Sequence, residues 1–181
     1  MFRVSLLAFL LAAACAPPPE SARSAQTGIE RHASRVIRLD TGRGASFDAR
    51  AAMVRAGRQE RWVVLTSVIR SDGDGPRIAA AWSNGIRLDY RVLDHRRRAC
   101  DALWSAVCLY EEKGEIRLSR AAFEAAASSG GLYLHLSGYR GSYGGHIEGA
   151  AFAEVLRRAG AAAQPSKSDD IHCQQILTTC G

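Results

Sequence analysis

The chain has no apolar run long enough to cross a bilayer. Its most apolar stretch, residues 4–14, falls far short of the ~20 residues a spanning helix needs, and Pro17, Pro18 and Pro19 follow it and block helical continuation. Walker loops, dinucleotide fingerprints, Gly-x-Ser-x-Gly elbows and His-Glu-x-x-His helices are all absent, so no motif points to nucleotide binding or to the common serine and zinc hydrolases. There is no zinc-finger or RRM signature, and no nucleic-acid partner is expected. No Cys-x-x-Cys pair exists to anchor a zinc site on His95 and His172, and neither a metal nor a cofactor is expected. Lysine is scarce too, 2 residues against 22 arginines, a skew that points to genome composition rather than to a binding function.

What is present is ordinary for a globular protein: 181 residues, 47% apolar and 23% charged. These fractions argue against a disordered, collagen-like or polytopic membrane protein, and the length suits one domain with appendages.

Residues 1–14 carry Arg3 as a positive n-region, an apolar stretch, and Ala12, Ala13 and Ala14 ahead of Cys15, the layout of a secretory signal peptide. The junction Leu-Ala-Ala-Ala-Cys resembles the lipobox of bacterial lipoproteins. One position departs from it: the usual Leu three places before the Cys is Ala12, with Leu11 one place earlier. The resemblance implies that Cys15 becomes the mature N-terminus and is acylated on sulfur and nitrogen. With Ala16 rather than Asp after it, the resemblance implies the periplasmic face of the outer membrane. At about 0.8 kcal/mol per buried methylene, three acyl chains would hold the protein there for its lifetime. Residues 16–28 are rich in Pro, Ser and Ala without periodic apolar positions and read as a flexible tether, at most about 45 Å long. The expected organisation is a signal peptide (1–14), a lipidated N-terminus and tether (15–33), one β-rich domain (34–163) and a tail (164–181).

Five cysteines are an awkward number for an exported protein unless one is otherwise engaged. With Cys15 lipidated, four remain, and of their three connectivities local spacing favours Cys100–Cys108 and Cys173–Cys180. The formal charge is +6, unevenly spread: residues 15–100 hold 16 basic and 9 acidic side chains, residues 101–181 hold 7 and 9. The basic half is drawn to anionic surfaces such as phospholipid, lipopolysaccharide phosphate or peptidoglycan carboxylate. The plainer reading is a solvated, mixed-charge surface.

The pattern predicts a mainly β fold, an antiparallel sheet or β-sandwich with two short helices, with α+β as the alternative. Residues 62–69 are β-branched and apolar on both faces, as in a central strand. Asn84-Gly85 supplies a type I′ turn for a hairpin over residues 77–92, setting Trp82 opposite Arg87 with Ile86, Leu88, Tyr90 and Val92 inward. Residues 107–110 and 115–118 flank Glu-Glu-Lys-Gly as a second hairpin, and a turn is the simplest reading of Asp72 and Asp74. Ser119 is an expected N-cap for a helix through Ala127, Leu132, Leu134 and Leu136 mark a strand, and residues 138–145 a glycine-rich turn. A terminal helix runs over residues 149–159 with Gly160 as its C-cap. Residues 29–60 are ambiguous between short strands and a helix near 47–56. The order over residues 86–156, with its paired cysteines and terminal Phe-x-x-x-Leu helix, resembles the second half of the invasion-associated locus B family of periplasmic β-rich proteins. The Gly-Phe that ends the last strand there is missing here.

Two surfaces are candidates. His95 and Arg96, Arg97 and Arg98, beside the Cys100 ring, could grip phosphate or carboxylate through guanidinium forks, or form a solvated loop. Tyr133, Tyr139 and Tyr143, with Arg140, could stack on sugar rings, or serve as hairpin and core packing. Glu111-Glu112 falls in the expected hairpin loop, which weakens a glycosidase reading. His32, His95 and His172 lie in polar surroundings and are expected to be exposed. The leading expectation is a non-enzymatic envelope lipoprotein that binds or scaffolds an anionic component (lipopolysaccharide or peptidoglycan) or an envelope protein. The alternative is a cell-wall hydrolase.

Overall fold

The computed structural model describes residues 20–39, 45–71, 75–100, 108–139 and 141–163. Their elements are β1 (Glu20–Arg23), β2 (Ile29–Ala33), β3 (Ile37–Leu39), β4 (Ala45–Ala56), β5 (Gln59–Arg70), β6 (Ile78–Ser83), β7 (Ile86–Cys100), β8 (Cys108–Leu118), α1 (Arg120–Ser128), β9 (Gly131–Gly138), β10 (Gly141–Glu148) and α2 (Gly149–Ala163). The strands form one antiparallel sheet in the order β1-β2-β4-β5-β8-β7-β6-β9-β10, with β3 also pairing to β4. The sheet curls into a half-barrel, so the fold is mainly β with two helices. The curl brings β10 onto β3 so closely that a Cβ on Gly145 would lie 2.8 Å from Leu39 Cβ.

The period-2 pattern fills the inner face. Phe47, Ala49, Ala51 and Met53 of β4 face Trp62, Val64 and Val68 of β5 and Ile116 of β8 in one buried cluster. Both helices pack into it. Phe123 of α1 sits with ring centroids 5.0 Å from Trp62 and 4.9 Å from Phe152 of α2. Ser119 caps α1 as expected, its Oγ accepting from the Ala122 N–H at 3.1 Å. The outer face carries only a satellite of Ala33, Ala52 and Val63 with Leu65.

Residues 62–69 lie in β5, between β4 and β8, a central strand as expected. The Asn84-Gly85 turn has both residues at positive φ, 48° and 79°, and Trp82 pairs with Arg87. Arg87 Cζ stands 5.9 Å from the Trp82 ring centroid. Only Leu88 and Tyr90 of the four expected inward residues turn in. Ile86 and Val92 are exposed, because β7 pairs with β6 only through Leu88 and then runs beside β8 alone.

Several expectations are corrected. Residues 20–33, read as tether, are not irregular: β1 and β2 form a hairpin closed by Ser24 N–H donating to the Ile29 carbonyl, and β2 pairs on to β4. His32 is buried there, between Ser21 Oγ at 3.1 Å and Glu30 Oε1 at 2.8 Å. Residues 47–56 are strand β4, and the glycine-rich turn shrinks because β10 starts at Gly141. The α2 helix runs through Gly160 to Ala163, since three alanines, the best helix formers, follow that glycine. The expected hairpin at Glu-Glu-Lys-Gly does not exist; β8 crosses it as one strand. The positions expected to matter at Cys15, in the 1–14 leader, at Asp72 and Asp74, at Arg140, at His172 and at Cys173–Cys180 lie outside the described residues. No helix among the described residues is long and apolar enough to cross a membrane.

Candidate anion-binding site

Strand β8 carries three buried carboxylates, and its register explains each. Glu111, Lys113 and Glu115 sit beside Ile69, Ser67 and Leu65 on the outer face, while Glu112, Gly114 and Ile116 sit beside Val68, Thr66 and Val64 on the inner face. Glu112, 3% exposed, accepts from the Ile78 N–H and from the Tyr90 hydroxyl, both at 3.0 Å on Oε1. It thereby ties the start of β6 to β8. Gly114 makes room for this: a Cβ there would lie 2.3 Å from Tyr90 Cε2. Burial, then the charge of Glu112 and the hydrogen bond to it, push the Tyr90 phenol far above its ordinary range.

On the outer face Glu111 accepts from Ser67 Oγ at 2.8 Å and from Arg96 Nε and Nη2 at 3.2 and 3.0 Å. Arg98 Nε is 3.6 Å away and Lys113 Nζ 4.0 Å. Burial alone would raise its carboxyl pKa, but the Ser67 and Arg96 hydrogen bonds and the nearby cations outweigh that and hold it below the ordinary value. The expected arginine fork is therefore not one unit. Arg96 and Arg98 converge on Glu111, whereas Arg97 pairs across from Tyr110 and has no carboxylate partner among the described residues. All three lie on a strand rather than in a loop, next to the Cys100–Cys108 disulfide that joins β7 to β8.

The aromatic set is likewise divided. Tyr133 and Tyr139 are exposed, but Tyr143 is 2% exposed and faces the core, where its hydroxyl accepts from Arg70 Nη1 at 3.2 Å. The strand between Tyr133 and Tyr139 separates them by about 20 Å, too far for one sugar ring. Tyr133 instead packs on His146, with ring centroids 4.5 Å apart.

A pocket absent from the sequence reading lies on the outer face. It is open, about 440 Å³, and its lining includes Arg31, Arg50, Lys113, Asp48, Leu65 and Leu93. Strand pairing assembles it: Asp48, Ser67, Lys113 and Asp94 form one cross-strand row over β4, β5, β8 and β7. Asp48 is engaged by Arg38 at 3.1 Å, and Arg50 reaches Glu20 at 3.2 Å. The Arg31 Nε is buried with no hydrogen-bond partner among the described residues. Three cations against one carboxylate, beside Leu65 and Leu93, suit an anionic head attached to an apolar arm. The three cations are up to 82 positions apart, so only the register brings them together. Among the described residues no group of three or more His, Cys, Asp or Glu could hold a metal ion.

Compared with protein-family models, curated proteins and solved structures, the chain matches none.

Proposed function

We propose that the chain is a lipid-anchored protein of a bacterial outer membrane, facing the periplasm, that binds phosphate-bearing headgroups in the Arg31–Arg50–Lys113 pocket. The observation that carries this reading is the buried Arg31 Nε, a donor with no hydrogen-bond partner among the described residues, in a pocket lined by three cations and one carboxylate. An unsatisfied buried donor costs about 1–3 kcal/mol, and a bound phosphate oxygen would relieve it.

Anchoring at Cys15 gives the pocket its target. Four residues separate Cys15 from β1, which at full extension reach about 14 Å. Arg50 already touches Glu20 at the start of β1. An acylated Cys15 would thus keep the pocket close to the headgroups instead of holding it well above them. The likeness of residues 86–156 to the invasion-associated locus B family points to the same periplasmic compartment. The hydrolase reading gains nothing from the carboxylates, because Glu111 and Glu112 face opposite sides of β8 and each is engaged by its own donors.

Two measurements test the reading. Intact-mass analysis of membrane-extracted protein is expected to show a triacylated N-terminus at Cys15, and Cys15→Ser to abolish it. The full-length Cys15→Ser chain is expected to sediment with phosphatidylglycerol vesicles and not with phosphatidylcholine vesicles, and Arg31→Gln/Lys113→Gln to lose most of that binding. Unchanged sedimentation of the double variant removes the pocket from the proposal; an unmodified Cys15 removes the anchor.

A further inference from the structure

Beyond Leu88, one side of β7 has no partner strand among the described residues. From Ile86 to Leu88 it pairs with β6, but from Asp89 to Cys100 every ladder contact is with β8. Among the described residues no backbone hydrogen bond reaches the other side of residues 89–100. Twelve strand residues make an open edge about 40 Å long at 3.3 Å per residue. Most sheet edges of this kind are short, covered or crossed by proline, because a row of free N–H and C=O groups recruits other strands. This one is long and contains no proline, though bulges at Leu93 and Arg98 interrupt it and leave residues 89–92 and 94–97 as its regular runs before the second bulge.

Its side chains say which strand would fit. Val92 and Leu93 are 44% and 50% exposed, so apolar surface is on offer beside the free backbone. Arg91, Arg96, Arg97 and Arg98 stand along the same stretch, and Arg91 and Arg97 have no carboxylate partner among the described residues. Along residues 89–98 the four arginines outnumber Asp89 and Asp94, so the edge is net positive. Acidic side chains on an incoming strand would meet those guanidiniums favourably.

We propose that the free edge of β7 is a docking site for an extended acidic peptide segment of another protein, which adds to the sheet as a further antiparallel or parallel strand. Backbone hydrogen bonds to residues 89–97 provide the affinity, and Arg91 and Arg97 select carboxylates over ammonium groups. Neither arginine lines the outer-face pocket, which shares only Leu93 with this edge, so loss of the arginines tests strand docking separately from headgroup binding.

The test titrates the detergent-solubilised full chain with a labelled Glu-Glu-Val-Glu-Val-Glu-Glu peptide, whose carboxylates reach both faces because Arg91 and Arg97 lie on opposite ones, its lysine-for-glutamate counterpart, and the acidic peptide with alternate backbone amides methylated. The acidic peptide is expected to bind and to slow amide exchange in residues 89–97, while the lysine peptide does not bind. Backbone methylation is expected to weaken binding by at least about tenfold. The surface variant Arg91→Glu/Arg97→Glu, verified folded by circular dichroism, is expected to reverse the preference between the two charged peptides. Equal binding of the methylated peptide would mean charge attraction without strand addition, and would overturn the proposal. Exchange protection located elsewhere overturns it as well. So does protection of this edge already present in the free chain, whether from its own segments or from a second copy.

Discussion

Replacing Glu112 with Ala would remove the one oxygen that two donors, one buried and one partly buried, share. The Ile78 N–H and the Tyr90 hydroxyl both point at Glu112 Oε1 from 3.0 Å. Ile78 is buried and at the first position of β6, so its amide has no route to water without opening the strand. That donor is expected to cost about 2–3 kcal/mol when orphaned, the upper part of the range for a buried group left unpaired. Tyr90 is only partly buried, and its hydroxyl can turn toward solvent, so its share is expected at about 1 kcal/mol. The sum, about 3–4 kcal/mol, is a large fraction of a domain's stability and should lower the melting temperature by roughly 6–16 °C at 2–4 °C per kcal/mol. Urea unfolding followed by tryptophan fluorescence would measure it, with an unchanged m-value showing that the native state keeps its compactness. Glu112→Gln retains an acceptor oxygen and is expected to lose less than half as much. A loss below about 1 kcal/mol for Glu112→Ala, or an equal loss for both variants, would show that Glu112 does not hold β6 to β8.

Other outcomes follow from the same region. Gly114→Ala places a Cβ inside the Tyr90 ring and is expected to cost about 1–3 kcal/mol; the cost should largely vanish in a Tyr90→Ala background, and additivity of the two changes would refute the contact. Because the folded Glu111 carboxyl titrates below its ordinary value near 4.5, its stabilising contribution is complete above that pH and is lost as pH falls through the folded value. Urea midpoints followed from about pH 6 to pH 2.5 should therefore fall less steeply in Glu111→Gln than in the parent chain. Cys100→Ser/Cys108→Ser opens a crosslink spanning 8 positions between two exposed strand ends. It is expected to cost roughly 2–3 kcal/mol at most and to speed amide exchange first in residues 96–100 and 108–110, and an unchanged exchange pattern there would show that the strands hold without it.

The fold was readable where one physical signal dominated. The apolar run of β5, the Asn84-Gly85 turn, the Ser119 cap and the apolar alternation of β9 each fixed their element locally. Elements specified by distant partners were not. Glu20–Arg23 has no apolar alternation, and it becomes a strand because Ile29–Ala33 presents a ladder to it. Glu-Glu-Lys-Gly has turn composition, yet it crosses the sheet because Ser67, Arg96, Tyr90 and the Ile78 amide supply partners for both carboxylates. The same limit hid the site. Arg96, Arg97 and Arg98 are adjacent in sequence, but the strand pleat and a bulge at Arg98 send them to different partners. Arg31, Arg50 and Lys113 are far apart in sequence and become neighbours only through cross-strand register.

One strand carries much of the consequence of that register. Through Leu88, β7 belongs to the β6–β9–β10 side of the sheet, and beyond it to the β8–β5–β4 side. A strand that changes partners must leave one edge open after the change, so the open edge of residues 89–100 is a product of the curl. The curl in turn depends on Glu112, which pulls the first amide of β6 down onto β8 while Tyr90 of β7 leans over Gly114 to the same oxygen. Charge then decides what the open edge can accept. Glu111 engages Arg96 and Arg98 on the outer face, while Arg91 on that face and Arg97 on the inner face have no carboxylate partner among the described residues, and an edge with that excess of positive charge favours a carboxylate-bearing strand. Loss of Glu112 should therefore weaken acidic-peptide binding even though it lies on the opposite face from Glu111 and touches none of these arginines, because it sets where β6 leaves β7.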